Sequence, residues 1–185
     1  MKLPKKSKKV FTGILFDVYQ WDQEMFDGSR QIFEMITRKP SVDILAVVGD
    51  QIMVLIQEQP TKPLFPSLPG GRVEDGQTPV QAAKEELLQE TGYIAEEMKL
   101  LNEFYGSSKI FFHESLFVAK NCKKVADQNL DSGEKIKLTF QSFENLLQLC
   151  RNERFTAPLG LKFMMYEALV DQKKKEELRK KIFEV

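Results

Sequence analysis

A proline-rich segment followed directly by a well-delimited helix constrains the fold of this chain more than any other feature. Four prolines lie between residues 60 and 71, and the segment ends in two glycines. Proline fixes φ and lacks the N–H that a helix interior or a central strand requires, so we predict a shaped loop there. After this loop, Thr78 can cap a helix, Pro79 suits its first position, and Gly92 can end it in a left-handed conformation.

The rest of the chain alternates predicted strands and helices. Apolar or alternating runs predict strands at residues 10–21, 31–37, 43–48, 51–57, 109–119 and 135–140. Asp27-Gly28-Ser29 and Gly49-Asp50 are turn signals that join neighbouring strands into hairpins. A short helix is predicted near residues 142–151 and one long helix over residues 156–182. This pattern predicts one α/β domain, as expected for 185 residues.

Composition excludes several classes of function. Lys and Arg number 27, as do Asp and Glu, and the resulting net charge of zero disfavours a protein built to hold nucleic acid. The single histidine, His113, excludes a multi-histidine metal site, and we expect it to be a packed or surface residue. Cys122 and Cys150 form no C-x-x-C pair and are expected to be reduced thiols. Without an apolar run of about 20 residues, we expect a cytoplasmic protein with no membrane partner.

Carboxylates therefore carry the predicted chemistry, and the helix after residue 78 holds the best candidates. Glu86 and Glu90 are four residues apart and share one helix face, which Gln89 borders. Two like charges at this spacing repel, whereas a hard cation between them would turn the repulsion into a binding site. Carboxylate oxygens suit Mg²⁺ or Mn²⁺, and Mg²⁺ commonly joins carboxylates to the phosphates of a substrate.

The spacing of five residues extends this pattern to a known signature. Gly71, Glu86, Leu87, Glu90 and Gly92 match the register Gly-x5-Glu-x7-Arg-Glu-U-x-Glu-Glu-x-Gly-U, in which U is a bulky aliphatic residue. The stretch resembles the Nudix box of hydrolases that split nucleoside diphosphates linked to another group. The chain is identified as a member of the Nudix superfamily. The resemblance implies an α/β/α sandwich with a mixed sheet.

Three charged positions of this signature are replaced. Gln77 replaces its first glutamate, Glu85 its arginine, and Gln89 the first of its paired glutamates. An arginine would orient neighbouring carboxylates through charge-assisted hydrogen bonds, and Glu85 adds negative charge instead. Gln89 can still offer a neutral amide oxygen. We therefore expect weaker metal binding than in the rest of the family.

A second resemblance lies outside the box. Residues 27–42 resemble the N-terminal hairpin of ADP-ribose pyrophosphatase-type members, in which the hairpin helps to build a homodimer and the nucleoside pocket. The resemblance implies an N-terminal tail and antiparallel β extension at residues 1–39, used in dimerisation, and a Nudix domain at residues 40–185. Residues 57–60 lack the arginine that similar proteins often carry in this loop.

The resemblance implies divalent-metal-dependent hydrolysis of the pyrophosphate bond in a small-molecule nucleoside diphosphate derivative, of ADP-ribose or nucleotide-sugar type. Residues 130–136 resemble an acidic loop that can supply the glutamate that positions the attacking water, here Glu134 with Asp131 behind it. The candidate site residues are Glu86, Glu90 and Glu134 for catalysis, Glu86, Glu90 and Gly71 for Mg²⁺ or Mn²⁺, and Arg72, Glu58 and Gln89 for substrate.

Two other classes of function stay open. The replacement of the arginine and of two acids in the signature is also expected of a catalytically impaired Nudix-fold module that binds a nucleotide or a protein partner. A structural or assembly protein that uses the charged end of its last helix has less support, because such runs are more often solvated faces.

Overall fold

The computed structural model describes residues 3–106 and 109–184. The strands are β1 (Lys8–Thr12), β2 (Phe16–Glu24), β3 (Arg30–Arg38), β4 (Ser41–Val48), β5 (Gln51–Gln59), β6 (Lys62–Ser67), β7 (Gly70–Arg72), β8 (Tyr93–Ile94), β9 (Glu97–Tyr105), β10 (Ile110–Phe111), β11 (His113–Lys120), β12 (Lys123–Lys124) and β13 (Lys135–Gln141). The helices are α1 (Pro79–Thr91), α2 (Phe143–Gln148), α3 (Leu159–Val170) and α4 (Gln172–Phe183), and a 3₁₀ turn follows α2 at Leu149–Arg151.

A mixed central sheet organises these elements. Its order is β13-β5-β4-β11-β9, with β6 paired to β5 and β7 paired to β4. β4 and β11 are parallel, whereas the other pairs of this sheet are antiparallel. The predicted hairpin at Gly49-Asp50 is confirmed, since β4 and β5 flank it and Gly49 has φ of 63°.

Helices cover both faces of this sheet because side chains alternate along each strand. On β4, Ile44 and Ala46 pack in a core that includes Leu87 of α1. Leu45 and Val47 point the other way, into a core built with α2, α3 and α4. The predicted α/β/α sandwich with a mixed sheet is therefore confirmed. None of the helices in the two described ranges is long and apolar enough to cross a membrane.

The N-terminal strands form a separate sheet with the order β1-β2-β3-β10. β2 and β3 pair antiparallel across the predicted turn, where Gly28 has φ of 84° and the Asp27 carboxylate accepts the Ser29 N–H. The prediction of one strand over residues 10–21 was wrong, because the chain turns at Gly13, whose N–H donates to the carbonyl of Phe16.

The prediction of a loop over residues 60–71 was also wrong. Most of this segment is strand, because β6 pairs with β5 and β7 with β4. β6 lies outside the main strand path of the sheet, where the absent N–H groups of Pro63 and Pro66 are tolerated. The carbonyl of Pro66 still accepts a hydrogen bond of 2.9 Å from the N–H of Thr156.

Three further elements of the structure differ from the predictions made from the sequence. The long helix predicted over residues 156–182 is two helices that meet at Asp171, which has an extended conformation and whose carboxylate caps α4. The strand predicted over residues 109–119 is divided between β10 and β11, which belong to different sheets. β9 was not predicted, although it pairs with β11 along its whole length.

Helix α1 has the predicted boundaries. Thr78 and Gln81 form a reciprocal capping box at its start, and Pro79 occupies the first turn. Gly92 ends it with φ of 75°, and a Cβ there would lie 2.2 Å from the carbonyl oxygen of Ala126. Because Leu87 on the inner face of α1 is fully buried, the helix is fixed in orientation over β4 and β7.

We expect Leu87→Ala to lower the free energy of unfolding by about 2–5 kcal/mol, because it leaves a cavity between α1 and the sheet. The neighbouring Leu88 is 40% exposed, so Leu88→Ala is the matched control and should change stability by less than about 1 kcal/mol. Urea unfolding followed by circular dichroism measures both. Equal losses for the two variants would contradict this packing.

Candidate active site

The Glu86 carboxylate lies directly against the backbone of β7. A Cβ built on Gly71 would lie 2.0 Å from Glu86 Oε1, far closer than a real contact. A side chain at position 71 would displace the end of the flexible Glu86 side chain, so this glycine allows the carboxylate its present position. The structure thus brings together two of the residues that the sequence placed in the metal site.

Glu90, one helical turn further on, is buried and held by the backbone. It is 3% exposed, and its Oε2 accepts a hydrogen bond of 2.8 Å from the N–H of Gly70. Gly70 itself packs tightly on β4, since a Cβ there would lie 2.2 Å from the carbonyl oxygen of Val42. The two glycines therefore position the two glutamates, one by leaving space and one by donating a hydrogen bond.

The first of two adjoining cavities, the acidic cavity, opens beside Glu86. It has a volume of about 440 Å³, and its charged lining residues are Arg72, Glu74, Glu85, Glu86, Asp131 and Glu134. Five of these six are acids, so the cavity suits a cationic group or a ligand that brings cations with it. Gln89 lines the same cavity, as predicted from its place on α1.

The second, the inner cavity, lies beside Glu90 and has a volume of about 190 Å³. It shares Gln59, Gly70 and Glu134 with the acidic cavity, so the two cavities adjoin each other. The sequence analysis missed its other polar lining residues, which are Asp43, Gln57, Lys62, Ser67 and Thr156. Gln57 carried a signal, since it is a polar residue at the end of an apolar strand. The others depend on pairing between distant segments.

Burial and mutual repulsion raise the pKa values of the carboxyl groups here. Burial, then the charges of Glu134 and Asp131, raise the pKa of Glu86 to about 7. Burial raises the pKa of Glu90 to about 9, although the Gly70 N–H opposes this shift. Burial and the nearby Glu114 raise the pKa of Asp43 to about 7. Arg72 and Arg38 only partly offset the shifts at Glu86 and Asp43, and a bound cation would lower these pKa values further.

The acidic loop contacts α1. Asp131 accepts a hydrogen bond of 3.2 Å from the Gln89 side chain, and the Gln89 carbonyl accepts one from the N–H of Asn129. The N–H of Glu134 donates to the carbonyl of Asp131, which turns the loop back toward the sheet. Glu134 therefore lines both cavities, and burial raises its pKa.

Two of the departures from the signature interact with each other. The side-chain amide of Gln77 donates a hydrogen bond of 2.5 Å to Glu85 Oε2, and the Gln77 oxygen accepts the N–H of Glu74. These residues occupy the outer edge of the acidic cavity. Gln77 thus binds the acid that stands where an arginine was expected, and no positive charge is added.

Two other residues singled out in the sequence lie elsewhere. Glu58 does not line either cavity, and its carboxylate is 3.5 Å from the ammonium of Lys135. Its role in substrate binding stays a prediction. His113 stacks on Tyr105 and lies 2.8 Å from Glu103, outside both cavities. Arg72 lines the acidic cavity, as expected of a residue that contacts an anionic substrate.

The residues present fit a magnesium ion that the substrate helps to bind. Within residues 3–106 and 109–184, no three His, Cys, Asp or Glu side chains are grouped as a complete metal site. Mg²⁺ does not require one, because it usually keeps several waters and is held by one or two carboxylates and by substrate phosphates. Glu86 and Glu90 supply carboxylate oxygens, which are the ligands that Mg²⁺ prefers. Their pKa values are raised, and a bound divalent ion would lower them.

Comparisons with known proteins agree with this geometry. Residues 37–159 match the NUDIX domain family. The chain is 26% identical over 151 residues to the ADP-ribose pyrophosphatase of Bacillus subtilis (strain 168), covering 77% of this chain and 79% of that protein. It is 31% identical over 155 residues to the methanol dehydrogenase activator of Bacillus methanolicus, covering 80% of this chain and 83% of that protein.

The fold also resembles that of a solved structure. The crystal structure of an ADP compounds hydrolase superposes with a TM-score of 0.71 at 21% sequence identity. The match covers 94% of this chain and all of that one, so the likeness of fold extends over nearly the whole chain.

In the metal-free protein, we expect Glu90→Gln to raise the stability at pH 8. The pKa of Glu90 rises from 4.5 to about 9 on folding, so between these values the folded state binds more protons than the unfolded state. Wild-type stability therefore falls as the pH rises through this range, by up to about 1.4 kcal/mol per pH unit. The variant lacks this contribution, and the two proteins should converge below about pH 4.

Thermal unfolding between pH 4 and pH 9 in a chelating buffer measures this difference. Glu85→Gln, an exposed change on the same helix, is the control and should follow the wild type. A Glu90→Gln profile parallel to that of the wild type would contradict the burial of an uncompensated carboxyl group.

Proposed function

Because this chain belongs to the NUDIX domain family, in its ADP-ribose pyrophosphatase-like branch, we propose that it hydrolyses the pyrophosphate bond of a nucleoside diphosphate derivative. A pyrophosphohydrolase is the enzyme class that this membership indicates. The observation that carries the proposal is the placement of Glu86 on Gly71 and of Glu90 on the Gly70 N–H, beside a cavity that Glu134 also lines. ADP-ribose and nucleotide sugars are the proposed substrate types.

Glu86 and Glu90 would hold Mg²⁺ or Mn²⁺. When bound, such an ion neutralises charge on the diphosphate and lowers the pKa of a water molecule. The Gly70 N–H keeps the Glu90 carboxylate in one orientation, and Asp131 keeps Gln89 turned toward the cavity. Arg72 offers the positive charge that a phosphate oxygen would contact.

Glu134 is the proposed base. Its place in the lining of both cavities brings it near any diphosphate bound there, and burial raises its pKa, which makes its carboxylate a stronger base. Glu134 would orient a water molecule and accept its proton as the water oxygen bonds to phosphorus. The bridging P–O bond breaks, and the products are a nucleoside monophosphate and the phosphorylated second group.

The N-terminal extension is proposed to form a homodimer interface. The strand register places Phe11, Val18 and Ile36 on one face of the N-terminal sheet. Ile32 lies on the same face, four residues before Ile36 on β3. Phe11 is 58% exposed and Ile32 is 67% exposed, whereas Trp21, on the opposite face, is buried. Exposed apolar side chains grouped on one face, here interrupted by the polar pair Gln20 and Glu34, suit a protein–protein contact.

We expect metal-dependent product from at least one member of a panel with ADP-ribose, a nucleotide sugar, a dinucleotide and a nucleoside triphosphate. Glu86→Gln/Glu90→Gln should lower kcat/KM on the order of 100-fold or more, because it removes both metal carboxylates. Glu176→Gln, an exposed change on α4, is the control. Chromatography of the products with Mg²⁺ and then Mn²⁺ measures the rates. Equal rates in the double variant and the wild type would contradict the assignment.

The same assay separates the enzyme from the alternative, a binding module that has lost catalysis. The module predicts thermal stabilisation by nucleotide with no product. If only the metal site is weakened, the variant Gln77→Glu/Glu85→Arg/Gln89→Glu should raise the rate, because it restores the acids and the arginine of the family signature. No product from either protein, with binding intact, would favour the module.

The homodimer is tested by Phe11→Lys/Ile32→Lys. We expect this variant to be a monomer by light scattering after size-exclusion chromatography, because two buried charges would oppose association. Leu159 is 81% exposed on α3, so Leu159→Lys is the matched control and should stay dimeric. A wild-type protein that is monomeric at all concentrations tested would refute the interface.

A further inference from the structure

Helix α3 is apolar on its outer side as well as on its inner side. Only two of its twelve residues are charged, Lys162 and Glu167. The inner side packs in the core through Leu161, Met165 and Ala168. A surface helix usually has a polar face opposite its apolar stripe, whereas a helix that is apolar all round is covered all round. The outer side of α3 therefore has the composition of a covered surface.

A continuous apolar stripe follows this outer side. Its members are Leu159, Phe163, Tyr166 and Val170, which are between 53% and 81% exposed. Their spacing of four, three and four residues keeps them on one helix face, in the register of a coiled-coil seam. At 1.5 Å per residue, the stripe is about 16 Å long. Single exposed apolar residues are ordinary, but a contiguous row is typical of a contact with another molecule.

An aromatic groove widens the stripe on the side of the central sheet. It has a volume of about 730 Å³ and lies between α3 and the strands β9, β10 and β11. Leu159 and Phe163 line it from the helix. The apolar residues that line it from the other side are Phe104, Tyr105, Ile110 and Phe112. The stripe and the groove together form one apolar surface, which we call the α3 surface.

The charged groups along the α3 surface are acids. Glu103 and Glu114 line the groove, and in the described part of the chain no lysine or arginine lines it with them. Gly160 also lines the groove, and a Cβ there would lie 2.1 Å from the Phe104 ring. Glu167 follows Gly160 by seven residues and therefore lies on the same side of α3.

Two cations lie near this surface without lining it. Lys162 follows Gly160 by two residues and projects from the opposite side of the helix, with its Nζ 5.6 Å from the centre of the Phe155 ring. The Arg38 guanidinium donates a hydrogen bond of 3.0 Å to Ser41 Oγ and is not part of the groove lining. The charge presented to a ligand in the groove is therefore mainly negative.

The shape of the α3 surface selects among apolar ligands with positive charge. Tyr166 and Val170 continue the stripe beyond the groove, so a small molecule in the groove would leave them exposed. An amphipathic helix covers the whole length, because helices pack along one another through residues spaced by three and four. A second copy of the α3 surface brings further acids, and two such surfaces repel each other.

We propose that the α3 surface docks an amphipathic helix of a different protein. The apolar face of this helix covers the stripe and the groove, and its lysine or arginine residues pair with Glu103, Glu114 and Glu167. None of the groove-lining residues lines the acidic cavity or the inner cavity. The inference therefore does not depend on the proposed hydrolysis.

Binding of two designed peptides to the full chain tests this proposal. One fluorescein-labelled helical peptide has leucines at the spacing of the stripe and lysines on its flanks, and the other has glutamates in place of the lysines. By fluorescence anisotropy, we expect the lysine peptide to bind at least about tenfold more tightly, because its charges complement the acids. Its affinity should fall as the salt concentration rises.

Phe163→Ser locates the bound peptide. This largely exposed residue belongs to both the stripe and the groove, so its loss should weaken binding of the lysine peptide about tenfold. Val125 is 55% exposed outside the α3 surface, so Val125→Ser is the matched control and should match the wild type. Leu159→Ser, at an 81% exposed position, is a second variant in case Phe163→Ser does not fold.

Glu103→Gln/Glu167→Gln tests the role of charge. It should reduce the preference for the lysine peptide over the glutamate peptide, because the amides keep the size of the side chains and remove their charge. Glu176→Gln, an exposed change on α4, is the control and should keep the wild-type preference.

Each outcome supports or overturns the proposal. Loss of peptide binding in Phe163→Ser, with oligomeric state and nucleotide hydrolysis unchanged, would support the docking surface. Equal binding of the two peptides by the wild type, or binding of neither, would overturn it. Equal binding by the wild type and Phe163→Ser would place the peptide elsewhere, such as at the acidic cavity. A dimer that becomes a monomer in Phe163→Ser would assign the α3 surface to a second copy instead.

Discussion

The close contact between helix α1 and the short strand β7 is the interaction on which the rest of the site depends. Two glycines contribute to it in different ways. Gly71 leaves space for the Glu86 carboxylate, whereas Gly70 packs against the carbonyl oxygen of Val42 and donates its N–H to Glu90. The buried Leu87 between these two glutamates holds α1 against the sheet. A displacement of the helix would therefore move both carboxylates together.

This contact creates an electrostatic imbalance. Glu86, Glu90 and Asp43 are withdrawn from water and lie close to other acids, so their pKa values rise toward or above neutrality. Of the cations that line the two cavities, Arg72 offsets the shift at Glu86 only in part, and Lys62 forms no ion pair with these three carboxylates. Such a cluster has a stability penalty unless a ligand supplies positive charge. We interpret this penalty as a physical basis for the metal binding proposed above, in a site whose signature is incomplete.

The three residues that replace charged positions of the family signature all line the acidic cavity. Gln77 and Glu85 bond to each other at the rim, and Gln89 bonds to Asp131 of the acidic loop. All three positions therefore keep a structural partner although they lost charge or changed its sign. The buried glutamates that contact the glycines are the ones that the chain retains. This division agrees with a site that is weakened at its edge and intact at its centre.

The sequence by itself determined the features that depend on local geometry. The spacing of four residues places Glu86 and Glu90 on one helix face, and the capping residues delimit α1, because a helix repeats every 3.6 residues. Gly28 and Gly49 marked two hairpins, because glycine readily adopts the positive φ that these turns require. The prediction of a loop over residues 60–71 was wrong, because an edge strand tolerates proline where a central strand does not.

Only the tertiary structure decided the inner cavity. Gln57, Lys62 and Thr156 lie on separate segments, and pairing of β6 with β5 on one side and with residue 156 on the other brings them together. The local sequence pattern does not predict that these residues lie close together, because strand partners are selected by the burial of whole faces. One continuous segment of the sequence thus indicates the diphosphate chemistry, whereas the residues that line the inner cavity are brought together only by folding.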